Sequence, residues 1–186
     1  QALQSKQVGN RFTSEGYVLW VGRMGWSVIS KVLESPSAIA IDWGDGEWIW
    51  GNLQVMIERV PVAEFEWVVS QNAAKNGGGA DTGGENNLQA THNPHGDSYY
   101  FADALTGKSV VIRSWVNGDS IVGFGGISQK LSDVFVNEKV ESFAKPFVPL
   151  VVGSMGVLCA LGLKRSWGYP VLEGDAMCWA LRWERL

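Results

Sequence analysis

The stretch Ala176-Met177-Cys178-Trp179-Ala180-Leu181-Arg182-Trp183-Glu184-Arg185 decides the fold. Met177, Trp179, Leu181 and Trp183 recur at every second position, and Ala176, Cys178, Ala180, Arg182 and Glu184 take the places between. A period of two belongs to an extended strand, whose successive side chains leave opposite faces. The stretch therefore predicts a strand that carries the last residues into the core. Val151–Leu163 is a companion strand candidate just before it.

The same signal recurs upstream. Ala38–Asp42 and Glu47–Val60 are apolar runs around Trp43-Gly44-Asp45-Gly46, and in the second run Leu53, Val55 and Ile57 alternate with Gln54, Met56 and Glu58. Asp-Gly between apolar runs predicts a hairpin, because glycine accepts the positive φ of a tight turn. Glu64–Ser70 alternates likewise, with Phe65, Trp67 and Val69 on one face. Further on, Ser98–Leu105, a Thr106-Gly107-Lys108 turn and Ser109–Val116 read as strand, turn and strand. Asn117-Gly118 then predicts a hairpin to Ser120–Phe124. Tyr17–Ile29 is a first strand candidate; Trp26–Glu34 is compatible with a strand or with a short helix closed by Ser35-Pro36. Leu131–Phe143 reads as an edge strand or a short helix.

With 23 Gly and only 6 Pro, the whole predicts an all-β chain with little helix: an antiparallel β-sandwich of the jelly-roll kind, with about eight strands in two sheets. Residues 1–186 read as one domain, with a polar N-terminal arm over 1–12 and a long Gly/Asn-rich loop over 71–97. At this length a single fold buries about 70% of the surface its unfolded chain exposes. The composition, 46% hydrophobic and 18% charged, is more apolar and less charged than that of a disordered chain. Some of that apolar surplus is expected at a surface that meets another molecule.

The net charge is −4 and the 15 basic residues are scattered, so binding to nucleic acid through a basic patch finds no support. No apolar run reaches the 18 or so residues of a transmembrane helix. A chain that opens on Gln1 reads as processed or excerpted, and the extracellular space or a virion is the favoured location. Cys159 and Cys178 sit in apolar strand-like runs outside any metal-binding spacing, which predicts buried thiols.

Three constellations are candidate sites. Trp43, Trp48 and Trp50, with Asp45 at the turn, could form an indole platform for sugar rings, or fill the core as Trp179 and Trp183 are expected to. Asp42, Asp45 and Glu47 could hold Ca²⁺, but their spacing lacks the ligands at alternate positions of an EF-hand, and turn capping accounts for the aspartates. Ile41–Gly46 resembles the hairpin signature of polycystic-kidney-disease-type β-sandwich modules over those six or so residues. The His-Thr-Tyr and Gly-x-Tyr patterns that such modules carry downstream are absent, so nothing of that family is transferred. His92, His95 and Asp97 are weak candidates for a three-ligand metal site; Pro94 between the histidines breaks any regular helix there.

No nucleophile elbow, P-loop, zinc-protease or dinucleotide fingerprint occurs, so no catalytic residue and no cofactor is expected. The chain reads as a non-enzymatic structural protein that self-assembles into a homo-oligomer, as virus coats and surface appendages do. The alternatives are a glycan-binding module or lectin using the Trp platform, and a membrane-active β-sandwich toxin.

Overall fold

The structure, a computed structural model, describes residues 11–22, 25–30, 34–63, 98–172 and 174–186. The described residues are mostly β. In chain order the strands are β1 (Arg11–Thr13), β2 (Tyr17–Val21), β3 (Trp26–Ser30), β4 (Ile39–Asp42), β5 (Gly46–Trp50), β6 (Leu53–Pro61), β7 (Ser98–Ala102) and β8 (Ser109–Ser114). They continue as β9 (Ser120–Val122), β10 (Ser128–Lys130), β11 (Pro149–Gly153), β12 (Gly156–Ala160), β13 (Lys164–Arg165) and β14 (Met177–Arg185). A single α-helix is described, α1 (Leu131–Asn137). Among the described residues no helix is long and apolar enough to cross a membrane.

The strand read over Ala176–Arg185 is present as Met177–Arg185, and it lies inside a four-stranded sheet of order β5-β6-β14-β7. It pairs antiparallel with β6 along its whole length, from Met177↔Pro61 to Arg185↔Leu53, and with β7 on its other side. Both faces are covered. Trp179, Leu181 and Trp183 enter the largest apolar cluster, while Cys178 and Ala180 enter a second one with Val60, Val62, Tyr100 and Val171.

A larger sheet runs β10-β9-β12-β11-β8-β4, with β13 added alongside β12. Its Ile41, Val110, Ile112, Val151 and Leu158 join the same cluster as Trp179 and Leu181, so the two sheets share one core. Its other face carries Ile121, Leu150, Val157 and Ala160, covered by Leu131, Val134 and Phe135 of α1. Burying a side chain such as Phe135 contributes about 1.5–3 kcal/mol. That gain explains why Leu131–Phe143, open to two readings by sequence, closes as a helix: residues 131, 134 and 135 fall on one helical face. β1, β2 and β3 form a third, separate sheet.

Several turns do not join the strands their sequence suggested. The dipeptide Asp45-Gly46 does not close a hairpin: β4 pairs with β8 in the larger sheet and β5 pairs with β6 in the smaller one. The chain crosses between sheets there, and the Trp43 N–H donates to the Lys108 carbonyl while the Gly107 N–H donates to the Trp43 carbonyl. The real hairpin lies inside the run read as one strand, where Gly51-Asn52 links Trp50 to its partner Leu53 and Gly51 takes φ 62°. Asn117-Gly118 is likewise a turn without a hairpin. β8 pairs with β11 and β4, and β9 with β10 and β12.

Tyr17–Ile29 divides into β2 and β3, and Trp26–Ser30 is strand rather than helix. Arg11 and Phe12, read as the end of a polar arm over 1–12, pair with Trp20 and Leu19, and residues 1–10 lie outside the described residues. The pairing is antiparallel except at Val157↔Ile121, where β12 and β9 run parallel. Glu64–Ser70 and the 71–97 loop lie outside the described residues.

Candidate functional site

The crossover that carries Asp45-Gly46 also places the tryptophans. Trp43 is 1% exposed and Trp50 2% exposed, both inside the shared core, and Trp48 is partly buried against it. Trp43 meets Phe101 edge to face, ring centres 5.2 Å apart and planes at 79°. Two of the three rings therefore have no face for a sugar, and the trio forms no platform. Their burial follows from strand alternation: Trp48 and Trp50 share the inward face with Val55 and Leu53, their directly opposed partners. The Trp179 indole N–H donates to Thr106 Oγ1 at 3.1 Å, whereas those of Trp43, Trp50 and Trp115 find no acceptor.

Asp45 Oδ1 accepts the Arg59 backbone N–H at 3.0 Å, and Asp42 Oδ1 accepts the Ser109 hydroxyl at 2.6 Å. Both carboxylates tie down the crossover, as side-chain oxygens near turns commonly do. Among the described residues no group of three or more His, Cys, Asp or Glu is placed to hold a metal. His92, His95 and Asp97 lie outside the described residues. Cys159 and Cys178 are fully buried thiols, one in the shared core and one in the second cluster. Burial pushes the Cys159 thiol well above its ordinary range, which keeps it un-ionised and unreactive.

Sequence patterns did not single out Arg165, which is buried where β13 meets β12. Its Nε donates to the Tyr100 carbonyl at 2.7 Å, one terminal nitrogen to Ser166 O at 2.8 Å, and the other to Tyr169 O at 2.8 Å. No carboxylate among the described residues bridges to it. Desolvation pulls the guanidinium down to about 10, still cationic at neutral pH. These are backbone acceptors, so the arrangement is a clamp on the 166–169 loop and offers no reactive group.

Surface features are more informative. In the β1–β3 sheet, Phe12, Leu19 and Val28 stand directly opposite one another, as do Val21 and Trp26, and Tyr17 and Ser30. Directly opposed residues share a face, so among the described residues one face carries Phe12, Tyr17, Leu19, Val21, Trp26, Val28 and Ser30 and no charge, with Val21 buried and Phe12 and Leu19 half-buried. Tyr17 is 59% exposed, Trp26 39% and Val28 69%. Phe12 and Trp26 stack at 6.3 Å, planes 31° apart. The opposite face turns Trp20 toward Phe143, ring centres 6.2 Å apart, which fixes the sheet to the segment after α1.

Two clefts open on the surface of the described residues. One, of about 510 Å³, opens at the end of the shared core, beside the Gly51-Asn52 hairpin, and includes Leu53, Val148, Leu163, Trp183 and Arg185. The other, of about 410 Å³, is lined chiefly by Val122, Met155, Val157, Trp167 and Ser166. Neither was visible in the sequence, because each draws on segments far apart in the chain. The exposed aromatic face was partly visible: Tyr17–Ile29 read as β, but its division into a hairpin, which puts Tyr17 and Trp26 on one side, was not.

No family model matches the chain, and no curated protein matches it. Among solved structures, a crystal structure of the TILS C-terminal domain is similar, with a TM-score of 0.55 and 17% identity. The match covers 81% of this chain and 98% of that one. At this identity the likeness is one of fold.

Proposed function

We propose that this chain is a non-enzymatic structural domain that self-assembles, docking the outer face of its β1–β3 sheet onto the same face of a second copy. The uncharged apolar face of Phe12, Tyr17, Leu19, Trp26 and Val28 is the observation that carries this reading. Exposed apolar side chains of this size gain about 1–3 kcal/mol each when covered, and contiguous apolar surface on one side of a sheet is a mark of association. A second copy is the fitting occupant because the described residues of the face hold no charge to repel its like, which a twofold contact of identical patches requires. Among the described residues β1 and β3 are the outer strands of their sheet, and outer strands are where lateral growth of the kind coats and surface appendages use takes place.

The fold reading that accompanies this function is a β-sandwich, supported by the one core to which both larger sheets contribute. The parallel β9–β12 pair and the separate third sheet depart from an all-antiparallel jelly roll. A glycan-binding reading loses its motivation with Trp43 and Trp50 in the core, although Tyr17 and Trp26 remain available to it. A membrane-active reading would rest on the same exposed face, and liposome leakage separates it from assembly.

Sedimentation equilibrium over a wide concentration range tests the proposal. The expected result is a defined multiple of 20.3 kDa. A clean monomer at high concentration removes it.

A further inference from the structure

The cleft of about 510 Å³ at the end of the core stands apart from the assembly face, and its chemistry is specific. Along β14 the inward row runs Trp179, Leu181, Trp183 and then Arg185, so the apolar row that builds the core ends in a cation at its mouth. Arg185 stands directly opposite Leu53, and both line the cleft with Val148, Leu161, Leu163 and Trp183. Glu184 reaches the rim from the other face of the strand, opposite Gln54, whose amide donates to Glu47 at 2.9 Å. Arg185 has no ion-pair partner among the described residues. The volume falls within the range of about 300–1,000 Å³ usual for small-molecule sites. At Gly162, which also lines the cleft with φ 75°, a side chain would meet open space, so the wall stays low there.

We propose that this cleft binds a small amphiphilic monocarboxylate, with its apolar chain against Leu53, Leu163 and Trp183 and its carboxylate on the Arg185 guanidinium. An apolar floor ending in a cation that makes no ion pair among the described residues is complementary to an anion head on an apolar body. Guanidinium matches carboxylate geometry with two parallel donors.

The test uses the full chain with sodium decanoate, and with decanol and butyrate as probes that lack the charge or the chain. Binding is followed by calorimetry and by the indole N–H resonance of Trp183, assigned through Trp183→Phe. Decanoate is expected to saturate one site below its critical micelle concentration and to shift the Trp183 resonance. Decanol and butyrate should each bind at least about tenfold more weakly, the loss expected when a charged hydrogen bond or the apolar contact is removed. Arg185→Gln should weaken decanoate by a similar factor and leave the melting temperature unchanged, since Arg185 is exposed. Glu184→Gln, which removes a carboxylate from the lining beside Arg185, should bind decanoate at least as tightly as the parent chain, and weaker binding would overturn the proposal. No saturable decanoate binding, decanol binding as tightly as decanoate, or Arg185→Gln binding as tightly as the parent chain would each overturn the proposal. The decanol comparison uses the unaltered chain, so it is decisive even where a variant folds poorly. Because these readouts are independent of oligomeric mass, failure here leaves the assembly proposal untouched.

Discussion

The guanidinium of Arg165 lies 4.5 Å from the centre of the Phe101 ring while its nitrogens donate to the carbonyls of Tyr100, Ser166 and Tyr169. One side chain thus joins β13, β7 and the 166–169 loop, and it helps hold Tyr169 at φ 55°, a conformation few side chains adopt without support. Lysine keeps the charge but loses the planar fork and the stacking. Arg165→Lys is therefore expected to lower stability by about 2–4 kcal/mol, because buried carbonyls lose their donors. Urea unfolding measures this, and a loss under about 0.5 kcal/mol, typical of an exposed site, would show that the clamp is not structural.

Gly51 closes the β5–β6 hairpin at φ 62°, and a Cβ placed there would stand 2.6 Å from Pro36 Cγ. Gly51→Ala is expected to cost about 1–3 kcal/mol, combining the left-handed backbone penalty with the contact to Pro36. Replacing Gly44, where a Cβ meets nothing within 4 Å, should cost less. Thermal unfolding of the two variants side by side checks the order.

Much of the larger architecture was legible, and the pairings were not. Met177–Arg185 announced a strand with two distinct faces because a period of two survives in the sequence wherever burial alternates. Asn117-Gly118 announced a turn, correctly in its chemistry, since Gly118 takes φ 100°, and wrongly in what it joins; Asp45-Gly46 takes no such turn, because Gly46 opens β5 without a positive φ. A turn dipeptide reports local backbone geometry, whereas partner choice is set by which sheet buries the flanking side chains. Trp43 went into the core through backbone bonds to Gly107 and Lys108, far downstream in the chain, a contact no local pattern encodes. The Arg185 cleft was hidden for the same reason. Its lining converges from the β5–β6 hairpin, the β10-to-β11 region, the β12–β13 turn and the end of β14.

Asp119 is held below the ordinary aspartate range, first by the hydrogen bonds from Arg113, whose two terminal nitrogens each donate to it at 2.8 Å, and further by the Val116 N–H. A carboxyl whose folded pKa lies below its unfolded one adds stability above the unfolded value and loses it as pH falls through the folded one. Asp119→Asn should therefore cost about 1–2 kcal/mol at neutral pH, and the gap to the parent chain should close in acid. Denaturation midpoints across the acid range reveal the convergence; a pH-independent gap contradicts it.

Both thiols should be silent in the native state. Cys159 and Cys178 are fully buried and lie in different apolar clusters, so a thiol reagent should label neither until denaturant is added. Both should then react. Rapid native labelling, or a disulfide seen by mass spectrometry, contradicts this placement.

Self-assembly through the outer face of the β1–β3 sheet is tested most directly by the solution mass of the parent chain beside that of Val28→Glu. Val28 is 69% exposed, so the substitution leaves the fold undisturbed while placing a charge within the proposed contact. The predicted result is an oligomer for the parent chain and a 20.3 kDa monomer for the variant at equal concentration. Equal masses for the two chains would contradict it.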